Sequence, residues 1–130
     1  MSEHLFGDAK ATARTVKRTG VGSALDEARA AYEQNGGDPE VVRAYAELLN
    51  LTNRLEEAYK IYKEYLDLTS ADQETYFEVG LLAKSLDDHD EAIRLFTKVV
   101  EMAPGSPLAR SAEYEMWALN GGKTTRWSKQ

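Results

Sequence analysis

Residues 121–125, Gly-Gly-Lys-Thr-Thr, have the ending of a phosphate-binding loop, in which backbone N–H groups and a lysine cradle phosphate oxygens. That loop needs a further glycine five residues before its Gly-Lys pair. Trp117 stands there, and no strand-like segment precedes it, so the match is read as coincidence. Asp87-Asp88-His89-Asp90-Glu91 groups five potential metal ligands. A calcium loop of this kind needs about twelve residues with a glycine at its sharp turn, which the segment lacks. A zinc site needs several ligands from distant positions, and His4 is the only other histidine in a chain without cysteine. A turn that caps a helix and places acids in its first turn accounts for the segment better.

Tyr59, Tyr62 and Tyr65 recur at helical spacing, which suits core packing rather than redox or cofactor chemistry. Lys10, Arg14, Lys17 and Arg18 form a basic stripe largely opposite Leu5, Phe6, Ala9, Ala13 and Val16. Such a stripe is ordinarily a solvated face; a helix that binds a partner or a membrane surface is its alternative. No nucleophile stands with a base and an orienting group in any recognisable pattern. The expectation is a protein that is not an enzyme and that needs no cofactor or metal.

Composition narrows the function further. Of 130 residues, 42% are hydrophobic and 29% charged, with 3 prolines, which suits one globular domain rather than a disordered chain. No apolar run is long enough to cross a bilayer, and the start, Met-Ser-Glu-His, does not open a secretory signal. The absence of cysteine is compatible with a cytoplasmic location. The net charge of −6 is uneven: residues 1–20 carry +2, residues 21–106 carry −10 and residues 107–130 carry +2. So acidic a centre argues against nucleic acid as a partner, because phosphate contacts supply most of that affinity.

The elements that must position these groups follow a repeat. Ala24, Ala58 and Ala92 are spaced 34 residues apart, each followed by an apolar residue, Leu25, Tyr59 and Ile93. Ala28, Tyr62 and Phe96 come four residues after each alanine; Ala31, Tyr65 and Val99, then Tyr32, Leu66 and Val100, complete an apolar helical face. A preceding helix offers Val42, Tyr45, Ala46 and Leu49 in one unit and Tyr76, Val79, Gly80 and Ala83 in the next. Small Ala46 and Gly80 mark close crossings; a glycine tolerated inside a helix at a cost of about 1 kcal/mol implies a tight one. Asp38-Pro39, Asp72 and Ser106-Pro107 are helix starts, and Asn53 and Asp87 fall in turns. These signals predict seven helices over residues 6–18, 23–34, 39–51, 55–68, 73–85, 89–102 and 107–119. They form units at about 5–38, 39–72 and 73–106 with a cap at 107–119, in one domain of residues 1–120. Residues 121–130, with Arg126, Trp127 and Lys129, make a basic tail expected to be flexible, although Trp127 could dock on this chain or another.

This 34-residue pattern resembles the tetratricopeptide repeat. Gly80, Ala83, Ala92, Phe96 and Pro104 match its small, aromatic and proline positions in the third unit, and Ala46, Leu49, Ala58 and Tyr62 match in the second. The first unit departs from it, with Asp8, Ala11, Thr12 and Thr15 where larger apolar residues are expected, and the closing proline is Gly36 and Ser70 in the first two units. The resemblance implies an all-α, right-handed α-solenoid of about three helix–turn–helix repeats plus a C-terminal capping helix.

It also implies a function. In this family the leading helix of each unit lines a concave groove that holds a peptide or helix of another protein. Carried over by register, the groove residues are Lys10 and Lys17 in the first unit and Arg43, Glu47, Asn50 and Leu51 in the second. The third unit supplies Phe77, Glu78, Leu81 and Lys84. Leu51, Phe77 and Leu81 would be apolar anchors within a polar rim, unless Phe77 and Leu81 pack on a neighbouring helix instead. Glu47 and Glu78 stand where the chaperone-binding subfamily needs cationic or amide groups, which argues against that clamp. The expected role is an interaction adaptor. The alternative is a scaffold that self-assembles into homo-oligomers through its charged ends and N-terminal helix, the one segment suited to membrane contact.

Overall fold

Three side chains start helices in the computed structural model, which describes residues 21–122. The Asp38 carboxylate accepts from the Glu40 N–H, Asp72 from Thr75 and the Ser106 hydroxyl from Ala109, satisfying donors that a helix start leaves unpaired. Pro39 and Pro107 follow in the first helical turn, where a missing N–H costs nothing. Six helices are described: α1 (Val21–Gln34), α2 (Pro39–Leu51), α3 (Leu55–Leu68), α4 (Gln73–Ser85), α5 (His89–Met102) and α6 (Pro107–Leu119). The last five have the bounds the sequence predicts, and α1 is helical from the first described residue to its predicted end at Gln34. The helix predicted over residues 6–18 lies outside the described residues, as does the tail from residue 123.

The chain divides into two compact units, one up to Leu68 and one from Thr69 onward. In the first, α2 pairs with α1 and α3. Val42, Tyr45, Ala46 and Leu49 of α2 and Ala58, Ile61, Tyr62 and Tyr65 of α3 form its core with Leu25. In the second, α5 packs on α4 and α6. Val79, Gly80, Leu82 and Ala83 meet Ala92, Leu95, Phe96 and Val99, with Ala109, Ala112 and Met116 behind.

The buried stripes follow i, i+3, i+4, i+7, which corrects one detail of the sequence reading. Tyr59 and Ile93, one residue after the marker alanines, sit at the stripe's edge, and Ile61 and Leu95 are buried instead. At about 100° per residue, i+1 falls a quarter-turn from the centre of the stripe while i+3 stays beneath it. In α1 the order is inverted: Leu25 is buried and Ala24 half-buried.

The close crossing expected at Gly80 is present. A Cβ on Gly80 would stand 2.6 Å from Cε1 of Phe96, so hydrogen alone fits between α4 and the Phe96 ring. The turns repeat as faithfully as the helices. After α2, the N–H groups of Thr52, Asn53 and Arg54 donate to Leu48, Asn50 and Leu49 carbonyls; after α4, those of Leu86, Asp87 and Asp88 donate to Leu82, Lys84 and Ala83. Asn53 and Asp87 both take φ 63, in the left-handed region that short polar side chains tolerate.

Candidate interaction surfaces

On α2 the side opposite the core carries Arg43, Glu47, Asn50 and Leu51. Arg43 Nε donates to Glu47 at 3.0 Å, one helical turn on, so the two charges lie across this face as a pair. Asn50 is exposed, and Leu51 is 74% exposed, the most open of the large apolar side chains described.

The matching side of α4 is more committed to its own unit. Phe77 is half-buried, its ring 5.6 Å from that of Phe96. Leu81 is also half-buried and Glu78 exposed. Lys84 donates to Glu115 of α6, whose side chain is mostly covered. The alternative weighed for Phe77, packing on a neighbouring helix, is thus realised in part: one edge rests on α5 and the rest faces outward. Lys10 and Lys17 lie outside the described residues.

The other candidate groups take structural places. Asp87 supplies the left-handed turn residue before α5, and His89 Nε2 lies 3.7 Å from its carboxylate. Among the described residues no three His, Cys, Asp or Glu side chains gather as metal ligands. Tyr62 and Tyr65 are buried, while Tyr59 is half-buried with the Lys63 ammonium 5.1 Å above its ring. On the outer sides of α3 and α5, Glu64 bonds a tyrosine of α1 and Arg94 pairs with Glu91.

Sequence reasoning missed a polar cluster in the first unit. The Tyr32 hydroxyl of α1 donates to Glu64 of α3 at 2.6 Å, and Arg29 Nε of α1 donates to the Tyr45 hydroxyl of α2 at 3.2 Å. The Tyr32 and Tyr45 rings lie 5.0 Å apart, with the Arg29 guanidinium 5.9 Å above Tyr45. The bond to Glu64, with burial second, pushes the Tyr32 pKa up to about 12, because a phenolate there would face a carboxylate. The bond to Tyr45 likewise raises Arg29. Tyr32, Tyr45, Glu57, Lys60 and Ile61 line a hollow of about 210 Å³ beside this cluster. A wider hollow of about 340 Å³ lies over the turn at Asn53–Glu57, walled by consecutive residues only. One signal could have found the bonds. Tyr32–Glu64, Gln73–Ser106 and Lys84–Glu115 are 32, 33 and 31 residues apart, just under one repeat, and so join like helices of successive units.

Comparison with known proteins agrees with this architecture. Residues 73–106, the segment holding α4, α5 and the closing Pro104, match the family model of the tetratricopeptide repeat. This segment is a tetratricopeptide repeat. The repeat's span is the third unit read from the sequence, residue for residue. No curated protein matches the chain significantly. Solved structures do, at low identity. The crystal structure of MamA is 16% identical with a TM-score of 0.68; the match covers 86% of this chain and 66% of that one, just under two thirds of its length. PcrH in complex with the chaperone-binding region of PopD is 16% identical, TM-score 0.65, over 95% and 96% of the two chains. The first tetratricopeptide domain of Spaghetti (RPAP3), bound to the HSP90 peptide SRMEEVD, is 15% identical, TM-score 0.64, over 87% of each. At such identities the likeness shows the fold: all-α, of the tetratricopeptide-type helical-repeat (α-solenoid) class.

Proposed function

We propose that this chain is a non-catalytic interaction module that binds a peptide or helix of a partner protein along the outward faces of its leading helices. The observation that carries this reading is Leu51. Leu51 is 74% exposed on a helix whose opposite face is buried, so it adds little to the packing of that helix. It adjoins the Arg43–Glu47 pair, so an apolar anchor has a polar rim beside it. Phe77 and Leu81, half-buried on α4, would be the equivalent anchors of the second unit, with Glu78 and Lys84 on the rim. Support comes from the fold: two solved structures that share it hold a peptide or a segment of another protein. The ligand would not be an acidic C-terminal peptide held by a cationic clamp, since Glu47 and Glu78 occupy those positions. The reading includes a cytoplasmic location and no nucleic-acid ligand, in keeping with a chain that has no cysteine and a charge of −6.

The test is Leu51→Asp in the intact chain, with helicity checked by circular dichroism. Proteins that co-purify with the parent chain should be lost from this variant and kept by Glu56→Gln on the exposed side of α3. Retention of the same partners by Leu51→Asp removes the assignment. Phe77→Asp is the poorer probe, because it also takes a ring away from Phe96.

Charge favours a second reading, self-assembly. Residues 21–122 carry −11, while residues 1–20 and 123–130 carry +2 and +3. Copies joined head to tail through these ends would separate as salt rises. One monomeric mass by light scattering, at every concentration and at low salt, excludes it.

A further inference from the structure

The Tyr45 side chain is only half used by the fold. The residue is 6% exposed, and its hydroxyl accepts from Arg29 Nε at 3.2 Å. A guanidinium can only donate, so this bond takes an oxygen lone pair and leaves the phenolic hydrogen uncommitted. Among the described residues no acceptor takes it. Tyr32 differs: its hydroxyl donates to Glu64 at 2.6 Å, so its hydrogen is committed. A buried donor without an acceptor is costly, and a water or a ligand is needed to complete it.

The hollow of about 210 Å³ gives an acceptor a way in, since Tyr45 is part of its wall. Buried Ile61 of α3 and half-buried Tyr32 of α1 supply its apolar surface. Lys60 of α3 also lines it, exposed and without an ion-pair partner among the described residues. The acids nearby are already engaged. Glu64 accepts from Tyr32, Glu57 lies 3.6 Å from Arg54, and Asp26 lies 3.6 Å from Arg29. What the hollow has left to offer is two donors, the Tyr45 hydroxyl and the Lys60 ammonium.

We propose that this hollow holds a carboxylate side chain of a partner protein, a glutamate that accepts from Tyr45 and pairs with Lys60 while its methylenes lie on Ile61 and Tyr32. Size supports a single side chain, because whole small-molecule ligands fill pockets of about 300–1,000 Å³. Charge supports an anion. A second cation would meet Arg29 and Lys60 at close range, and the Arg29 guanidinium already stands 5.9 Å above the Tyr45 ring. A hydroxyl bonds a carboxylate more strongly than a neutral acceptor. The chain's net charge of −6 weighs less, since salt screens exposed charges beyond about 10 Å. Tyr45 belongs to the buried side of α2, away from Arg43, Glu47 and Leu51. The contact is therefore separate from the face proposed above, and its failure would leave that reading untouched.

The probe is N-acetylglutamate N-methylamide, added to the isotope-labelled full chain, with the corresponding glutamine derivative as neutral control. The amide signals of Tyr45 and Ile61 should shift saturably, with half-saturation below about 10 mM, a weak affinity suited to one side chain. The glutamine control should leave them in place. Tyr45→Phe should weaken the binding about tenfold, the worth of one hydrogen bond to a charged group. Lys60→Gln should weaken it about threefold, as for an exposed ion pair. Should Tyr45→Phe lose helicity, Lys60→Gln decides alone, since it alters an exposed side chain. Equal shifts with glutamine, or no saturation, would mean that the hollow does not select a carboxylate. Binding of the lysine derivative in its place would mean a cation site. Acetate bound as tightly as the glutamate probe would mean a site for a free anion rather than for a partner's side chain. Unchanged affinity in the deciding variant would remove the donors assigned. Each of these overturns the proposal.

Discussion

The α2–α3 and α4–α5 pairs share one register and pack it with different chemistry. Tyr45, Ala46 and Leu49 of α2 correspond to Val79, Gly80 and Ala83 of α4, and Ile61, Tyr62 and Tyr65 of α3 to Leu95, Phe96 and Val99 of α5. Three tyrosines in the first set have no hydroxyl counterpart in the second. A buried hydroxyl must find a partner, and the Tyr45 hydroxyl takes one from a neighbouring helix, Arg29 of α1. At the corresponding positions the second pair carries no hydroxyl, and only a glycine fits beneath Phe96. The repeat therefore fixes where side chains meet and leaves open whether the meeting is dry or polar. The dry pair should be sensitive to volume, and the polar one to pH.

The largest effect is expected at Phe96, fully buried under the narrowest crossing. Phe96→Ala should cost about 4 kcal/mol, transfer and cavity terms together, read from urea unfolding followed by circular dichroism. A loss below about 1 kcal/mol would mean that the site collapses freely, contrary to a volume-limited pair. Gly80→Ala comes next. Overpacking against Phe96 costs about 1–3 kcal/mol, while replacing glycine inside a helix returns about 1 kcal/mol, so a net loss of about 1 kcal/mol is expected. Shrinking the ring in Gly80→Ala/Phe96→Leu should make the two changes non-additive, since the added methyl then has room. The mirror change, Ala46→Gly, should lose only the propensity term of about 1 kcal/mol and show no such coupling to Tyr62.

These positions also show what a sequence can disclose. Gly80 was legible because a glycine in a helix interior calls for a reason, and Asp38, Asp72 and Ser106 were legible because cap chemistry is local. The helix bounds followed from both. The 34-residue register puts Tyr59 and Ile93 in the apolar face and leaves Ile61 and Leu95 out of it, because the apolar set of α3 and α5 is wider than the buried stripe, and side-chain type alone does not centre a stripe. On the candidate surface, register placed Arg43, Glu47, Asn50 and Leu51 on one side of α2. It could not tell that Lys84 reaches Glu115 or that Phe77 leans on Phe96, since both contacts depend on helices that meet only in space. The Tyr32–Glu64 bond was hidden for the same reason, and because Glu64 also fits a surface ladder with Lys60.

That bond gives the comparison its pH arm. Tyr32→Phe should cost about 1 kcal/mol at neutral pH, the net worth of one partly exposed hydrogen bond to a carboxylate. Tyr32 in the folded chain holds its proton up to about 12, against about 10 in an unfolded one. A raised folded pKa stabilises fully below the unfolded value and is lost as pH rises through the folded one. The gap between parent and Tyr32→Phe should therefore hold steady to about pH 10 and then close. Glu64→Gln should return the Tyr32 pKa toward its ordinary value, visible in the ultraviolet titration of the phenol. A gap that stays constant through pH 12 would break the assignment.

The smallest effect on stability should come from Arg43→Ala, and its smallness is the point. Arg43 and Glu47 form an i, i+4 pair with both side chains about half exposed, a geometry worth about 0.3–0.5 kcal/mol. If α2 presents this pair for recognition, the substitution should leave the unfolding midpoint almost where it was and still weaken capture of the proteins that Leu51→Asp loses. Salt separates the two roles further, since it screens an exposed pair without disturbing the buried stripe beneath it. A midpoint that falls as far as for Tyr32→Phe would mean that Arg43 is a structural residue of the first unit, as Arg29 is, and that the open side of α2 ends at Leu51.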